Sequence, residues 1–191
     1  MRSIPAAALA IVLLAACGTS PTPSTTTPSA TTLPTAGATT APSLTTSAAC
    51  PIAPQEGRLL SDRLTGLRLA SSPAGDSVEF LFGPRSSAPT LPKGYLLEVR
   101  PPFAAGGSGL PIEVKGTRFV QVRFEGMYLY DDAGTATFTG TRDTLGTGPV
   151  AEVVVIDESE GYSTWIIGIR GSGCVSLGAP TSDELRVTVL P

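Results

Sequence analysis

The chain has no histidine among its 191 residues. That removes the commonest general base, the histidine-centred nucleophilic triads and the commonest metal ligand. It also has no excess of positive charge. Lys and Arg number 13 against 16 Asp and Glu, a net charge of −3. A basic field able to hold nucleic acid is missing, so no nucleic-acid partner is expected. Aromatics make up only 6% of the chain, with a single tryptophan. No CxxC pair occurs and no Ser stands in a GxSxG setting, which removes the sequence signatures of thiol redox and esterase-type chemistry. No window of about 11 residues carries a 3.6-residue apolar repeat, so amphipathic helices are not expected. What the chain has in quantity is turn chemistry, with Gly 21 and Pro 18. These punctuate short strands better than long helices. The composition points to a non-enzyme with no cofactor and no bound metal.

Three parts follow one another. Residues 1–16 have the form of a signal peptide. Arg2 supplies its positive start, and the apolar stretch 4–16 is shorter than the roughly 20 residues that span a bilayer. The stretch ends in Leu14-Ala15-Ala16-Cys17-Gly18, which resembles a bacterial lipobox. Small residues let the backbone enter a peptidase cleft, and a thiol is needed to form a thioether to diacylglycerol. Cys17 is therefore the expected lipidation site. Two or three palmitate-like acyl chains there would anchor the protein to the cell membrane on its extracytoplasmic face, since one chain alone binds only marginally.

The second part, 17–49, is the lipidated cysteine followed by 32 residues that include 12 Thr, 5 Ser, 5 Pro and 6 Ala and no charge. Such a stretch cannot bury enough apolar surface to offset its ordering entropy. It is expected to be a disordered, extended spacer, either bare or O-glycosylated. The third part, 50–191, is about the size of one single-core domain.

Within that domain, strand-length segments are bounded by Gly, Pro, Asp or Ser. They are 64–70, 78–82, 95–100, 111–114, 119–124, 150–156, 162–169 and 185–190. Phe119-Val120-Gln121-Val122-Arg123-Phe124 alternates cleanly, whereas 150–156 is a continuous β-branched run suited to a central strand. Turn signals recur about every 8–15 residues, which argues for an all-β antiparallel sandwich or barrel over βαβ units. The expected core is Phe80, Phe82, Val120, Val122, Phe124, Val153, Val155, Trp165, Ile167, Val187 and Val189.

With Cys17 assigned to lipid, Cys50 and Cys174 remain. In an exported chain an even pair is expected to be bridged. Cys50 stands where the spacer ends, and Cys174 closes the turn Gly171-Ser172-Gly173-Cys174.

Few residues suggest a binding site. Tyr128 and Tyr130 share strand parity and could line one exposed face, stacking on a sugar or peptide, or could be half-buried packing. Asp131 and Asp132 follow them. Two adjacent acids fall short of the six to eight oxygens that Ca²⁺ takes, so they read first as a polar turn. The run Asp157-Glu158-Ser159-Glu160-Gly161 reads as a solvated acidic hairpin loop, and Gly106-Gly107-Ser108-Gly109 as a flexible turn, since the lysine of a phosphate loop is missing.

At this point the domain resembles a known family. Asp76-Ser77-Val78-Glu79-Phe80-Leu81-Phe82, Pro92-Lys93-Gly94-Tyr95, the stretch 107–116 with Gly107-Ser108-Gly109-Leu110-Pro111, the strand from Phe119 and Glu160-Gly161-Tyr162-Ser163-Thr164-Trp165 stand in the order seen in AMIN-like domains of lipoproteins and secreted proteins of high-GC Gram-positive bacteria. Two places depart from the pattern. Residues 125–133 carry tyrosines and acids, and 174–189 keeps only Leu185-Arg186-Val187 of the closing strand, which leaves that strand's pairing open. The resemblance implies a β-sandwich. It also implies an envelope role, because related AMIN domains localise their hosts or bind peptidoglycan and other envelope polymers. It transfers no catalytic residue.

The leading expectation is thus a membrane-anchored, extracytoplasmic, non-catalytic module that binds or localises to a cell-envelope component, either peptidoglycan or another polysaccharide, or a protein partner. The alternatives are a carboxylate-based wall glycan hydrolase and a purely structural surface protein.

Overall fold

The computed structural model describes residues 50–159 and 161–191. The signal peptide, the lipidation site Cys17 and the Thr/Ser/Pro/Ala-rich spacer lie outside the described residues, as does Glu160.

The described residues form an all-β, antiparallel, sandwich-like fold with no helix. The larger sheet holds β1 (Gln55–Arg58), β4 (Lys93–Val99), β7 (Arg118–Glu125), β10 (Tyr162–Ile169), β9 (Val150–Ser159) and β8 (Asp143–Leu145), in that spatial order. The smaller sheet runs β11 (Val175–Leu177), β12 (Glu184–Val189), β3 (Gly75–Phe82) and β2 (Leu64–Ser72). A two-stranded ribbon, β5 (Phe103–Ala104) and β6 (Pro111–Ile112), completes the set.

Strand alternation builds the core. On β7, Val120, Val122 and Phe124 point inward, and on β3, Val78, Phe80 and Phe82 do the same. Phe80 sits at the centre, edge-on to Phe124 at 5.0 Å and to Trp165 at 5.6 Å, a favoured aromatic geometry. Trp165 is fully buried and donates its indole N–H to the Ser163 hydroxyl at 2.7 Å. Every residue of the core expected from sequence is buried except Val155, which is half-buried and packs against the core's edge.

Strand β10 reads as an unbroken apolar run because both of its faces are covered. Residues 100–117 cross its outer face and form a second cluster of Phe103, Phe119 and Ile166, flanked by Val99, Ile112, Val114 and Ile156. The crossing is so close that a Cβ on Gly168 would lie 1.9 Å from the carbonyl oxygen of Lys115. Only a residue without a side chain fits beneath that backbone.

The outer face of the smaller sheet is instead solvated. Arg68, Glu79 and Arg186 are direct cross-strand partners. Both arginines pair with the buried Glu79 carboxylate.

The closing strand β12 pairs with β3 on one side and β11 on the other. Cys50 and Cys174 are joined by a disulfide across 124 positions, with Cα atoms 5.0 Å apart. Arg118 reinforces this junction. Its Nε and Nη2 hold Glu98 at 2.6 and 3.1 Å, its Nη1 donates to the carbonyls of Ser172 and Gly173, and its Nη2 donates to that of Cys50. All five N–H donors of the guanidinium are used.

One expectation is corrected here. Residues 157–161 are not a free acidic loop. Asp157, Glu158 and Ser159 belong to β9, and Gly161, at φ +79°, stands directly before β10. A bulge at Ile156, between the Val155–Trp165 and Asp157–Thr164 pairs, shifts the parity of the strand. It brings Glu158, opposite Ser163, onto the core side in place of Asp157.

Candidate functional site

All four tyrosines of the chain, Tyr95, Tyr128, Tyr130 and Tyr162, gather at one end of the larger sheet. The register puts them there. Tyr162 and Lys93 both face Glu125, and Tyr95 faces Arg123. The Tyr95 hydroxyl donates to Glu125 at 3.0 Å, and the Arg123 guanidinium lies 4.7 Å from the centre of the Tyr162 ring.

Tyr128 and Tyr130 arrive from the segment that leaves β7. This segment is no regular strand, yet it alternates like one. Met127 and Leu129 are buried, while Tyr128 is 50% and Tyr130 56% exposed. The buried pair anchors the segment, and its backbone is bonded on both flanks. The N–H of Tyr128 donates to the carbonyl of Asp62 at 2.7 Å, and that of Met127 to Gly161 at 3.1 Å. The Tyr128 ring lies over Gly161, where an added Cβ would touch it at 3.6 Å.

Two hollows share the two tyrosines. One, of about 430 Å³, is lined by Tyr128, Tyr130, Arg63, Ser86, Asp131 and Asp132 among others. The second, of about 90 Å³, lies between Tyr128, Tyr130 and Tyr162 and is bordered by Glu158 and Gly161. Residues 62–189 match the model of the AMIN-like domain family. The chain belongs to that family. No curated protein and no solved structure matches it.

The tyrosine end of this AMIN-like domain is held by a buried acid. Asp62 accepts the N–H of Ser86 at 2.8 Å and also the Ser86 hydroxyl, which fixes the loop forming one wall of the larger hollow. Burial pushes the Asp62 carboxyl up, but the Ser86 hydroxyl and N–H, with the charge of Arg63, outweigh it and hold its pKa below the ordinary carboxylate value.

The structure brings Tyr128, Tyr130, Asp131 and Asp132 to the rim of one cleft, with distinct environments. Asp131 is committed in part to its own turn, where Oδ1 accepts the N–H groups of Ala133 and Thr135 at 2.9 and 2.8 Å. Asp132 is open to solvent and pairs with Arg63 at 3.2 Å. Glu158 pairs with Arg142 at 2.7 Å, and its other oxygen, Oε1, is buried with no hydrogen-bond partner. Asp157 and Glu158 are adjacent on one strand and so project to opposite faces. They cannot flank one glycosidic bond as an acid and base pair.

Tyr162, Arg63 and Ser86 border the same hollows without being sequence candidates, and Glu158 is a candidate only within the acidic run 157–161. For Tyr162 the signal was its parity, opposite to that of the buried Trp165. Arg63 and Ser86 carry no local signal, because only the tertiary fold brings them beside residue 128.

Proposed function

We propose that this protein is a non-catalytic, extracytoplasmic lipoprotein whose AMIN-like domain binds or localises to a component of the cell envelope, using its tyrosine end as the contact surface. The observation that carries the reading is the concentration of exposed tyrosine surface beside an open cleft, in a chain with few aromatics. Tyr128, Tyr130 and Tyr162 are 50%, 56% and 38% exposed. Tyrosine combines a large apolar area with a polar tip, and recognition surfaces favour it for that reason. Membership of the AMIN-like family supports an envelope role. The Leu14-Ala15-Ala16-Cys17 lipobox supports anchoring at the outer face of the membrane.

The test is fractionation of cells expressing the full chain, followed by retention of the purified protein on isolated cell wall. Wild type partitions with the membrane and is retained on wall material. Cys17→Ala leaves the membrane fraction but keeps wall retention. Tyr128→Ala combined with Tyr130→Ala keeps membrane partitioning and loses wall retention. Membrane partitioning of Cys17→Ala equal to wild type overturns the anchor. Undiminished retention of the double tyrosine variant overturns the contact surface.

A further inference from the structure

The ribbon β5–β6 covers part of the outer face of the larger sheet, and its own outer surface is bare. Residues 101–112 hold no charge. Leu110 is 65% exposed, more than any other large apolar side chain among the described residues. Gly107 and Gly109 turn the tip at φ +75° and +66°, and beyond their chain neighbours no atom lies within 4 Å of either Cβ position. Leu110 precedes Pro111, which borders an apolar hollow of about 430 Å³ shared with Pro101, Pro102, Phe103, Ile112 and Phe119. A lone exposed leucine is ordinary, but one that continues an apolar hollow and an uncharged loop makes a patch.

The ribbon also asks little of whatever covers it. Every N–H from Ala105 to Leu110 except that of Gly107 is bonded within the protein. Ala105 donates to the carbonyl of Leu110 at 2.8 Å, Gly106 to that of Ile156 at 2.6 Å, and Leu110 to the Ser108 hydroxyl at 3.3 Å. Ser108 donates to the carbonyl of Gly106 and Gly109 to that of Ala105, both at 2.9 Å. Pro101, Pro102 and Pro111 have no N–H to offer. A protein partner draws on about one hydrogen bond per 100–200 Å² of interface, and an added strand needs free backbone groups. Lipid needs neither, and it penalises an unbonded N–H.

The tether joins the domain at the same sheet. Cys50, the residue after the spacer, is held by Arg118 at 2.6 Å. Arg118 lines a hollow that adjoins the apolar one through Pro101 and Phe119. The 32 residues between Cys17 and Cys50 reach at most about 110 Å. A domain anchored at Cys17 therefore stays near the bilayer, where touching lipid is an intramolecular event and a modest apolar surface suffices. Charged residues stand only at the margins of the run, Arg100 before it and Glu113 and Lys115 after it.

We propose that the outer surface of the ribbon β5–β6 docks on the lipid surface, with Leu110 and the neighbouring prolines entering the headgroup layer. This rests on the lipid anchor at Cys17. The spacer then sets how far the domain travels, and the ribbon sets how it lies against the bilayer.

The experiment places the lipidated full chain in vesicles of phosphatidylcholine and phosphatidylglycerol. A polarity-sensitive dye is attached through Ala104→Cys, on the exposed side of β5, or through Ala70→Cys, exposed on β2 of the other sheet. With Cys17 lipidated and Cys50 bridged to Cys174, the added thiol is the one that reacts. Dibrominated acyl chains quench the dye at position 104 severalfold more than at position 70. Adding Leu110→Asp to the Ala104→Cys protein brings its quenching down to the level at position 70. Melting temperatures close to wild type show that the variants are folded.

Equal quenching at the two positions, or quenching at position 104 that Leu110→Asp leaves unchanged, overturns the lipid contact. A dye shift at position 104 that grows with the density of protein in the vesicle and is not quenched by bromine assigns the ribbon to a second copy and overturns it too. Flotation of the vesicles separates this result from the anchor. A protein that floats without quenching keeps the anchor and loses the lipid contact, while one that does not float loses both.

Discussion

Arg118 donates to the carbonyl of Cys50 at 2.6 Å, on the residue that the disulfide ties to Cys174. The same guanidinium holds the carbonyl of Gly173, next to Cys174, at 3.1 Å. The start of the domain is thus fastened twice, once covalently and once by a side chain from the middle of the larger sheet.

The two fastenings are expected to substitute for each other in part. Replacing both cysteines, Cys50→Ser with Cys174→Ser, removes a loop constraint worth at most about 5 kcal/mol, and the domain stays folded with Cys50 held by Arg118. Arg118→Ala with the disulfide intact costs about 1–3 kcal/mol, because the part-buried carbonyls of Cys50 and Gly173 lose their donor while Glu98 turns to water. Removing all three costs more than the sum of the two. A double-mutant cycle by urea unfolding checks this, and strict additivity would contradict it.

Asp62 makes stability depend on acid. Its carboxyl is held below its ordinary value in the fold, so it stabilises the protein at pH above the unfolded value of about 4. That contribution is lost as pH falls through the lower, folded value. Asp62→Asn is expected to lose about 1–2 kcal/mol at neutral pH and to show a flatter stability curve below about pH 4. Unfolding midpoints across that range, compared with wild type, measure it.

Gly168→Ala is expected to destabilise by about 3 kcal/mol or more, since the methyl would have to displace the Lys115 backbone. Gly57→Ala on the edge strand β1 is the control. Nothing lies within 4 Å of its Cβ position, and its stability should change by less than about 0.5 kcal/mol. Chemical denaturation of both variants separates the two cases.

The architecture was legible where the chain obeys one period. The alternating β7 and the apolar β10 announce themselves, and their facing partners on β3 and β12 follow. The short strands β1, β8 and β11 carry no pattern of their own and exist because a longer neighbour offers them a free edge, while β5 pairs only with the equally short β6. The half-burial of Val155 and the inward turn of Glu158 were hidden for a different reason. A bulge at Ile156 changes parity mid-strand, and no run of residue types marks it. At the site, the shared parity of Tyr128 and Tyr130 could be read directly, and their exposure is decided only by the fold. Their neighbours Arg63, Ser86 and Glu158 come from sequence positions more than 20 residues away, so no local signal could have joined them.

The placement of the bridge also governs how the domain bears load. If Cys17 is tethered to a membrane and the tyrosine end grips something fixed, tension along the spacer reaches the fold at Cys50. The disulfide passes it at once to Cys174, directly before β11 at the edge of the smaller sheet, and Arg118 passes it to β7, inside the larger sheet. The edge strand β1, four residues long and next in sequence, is thereby spared from being unzipped one hydrogen bond at a time. Pulled from that point, the domain should share the load between its two sheets.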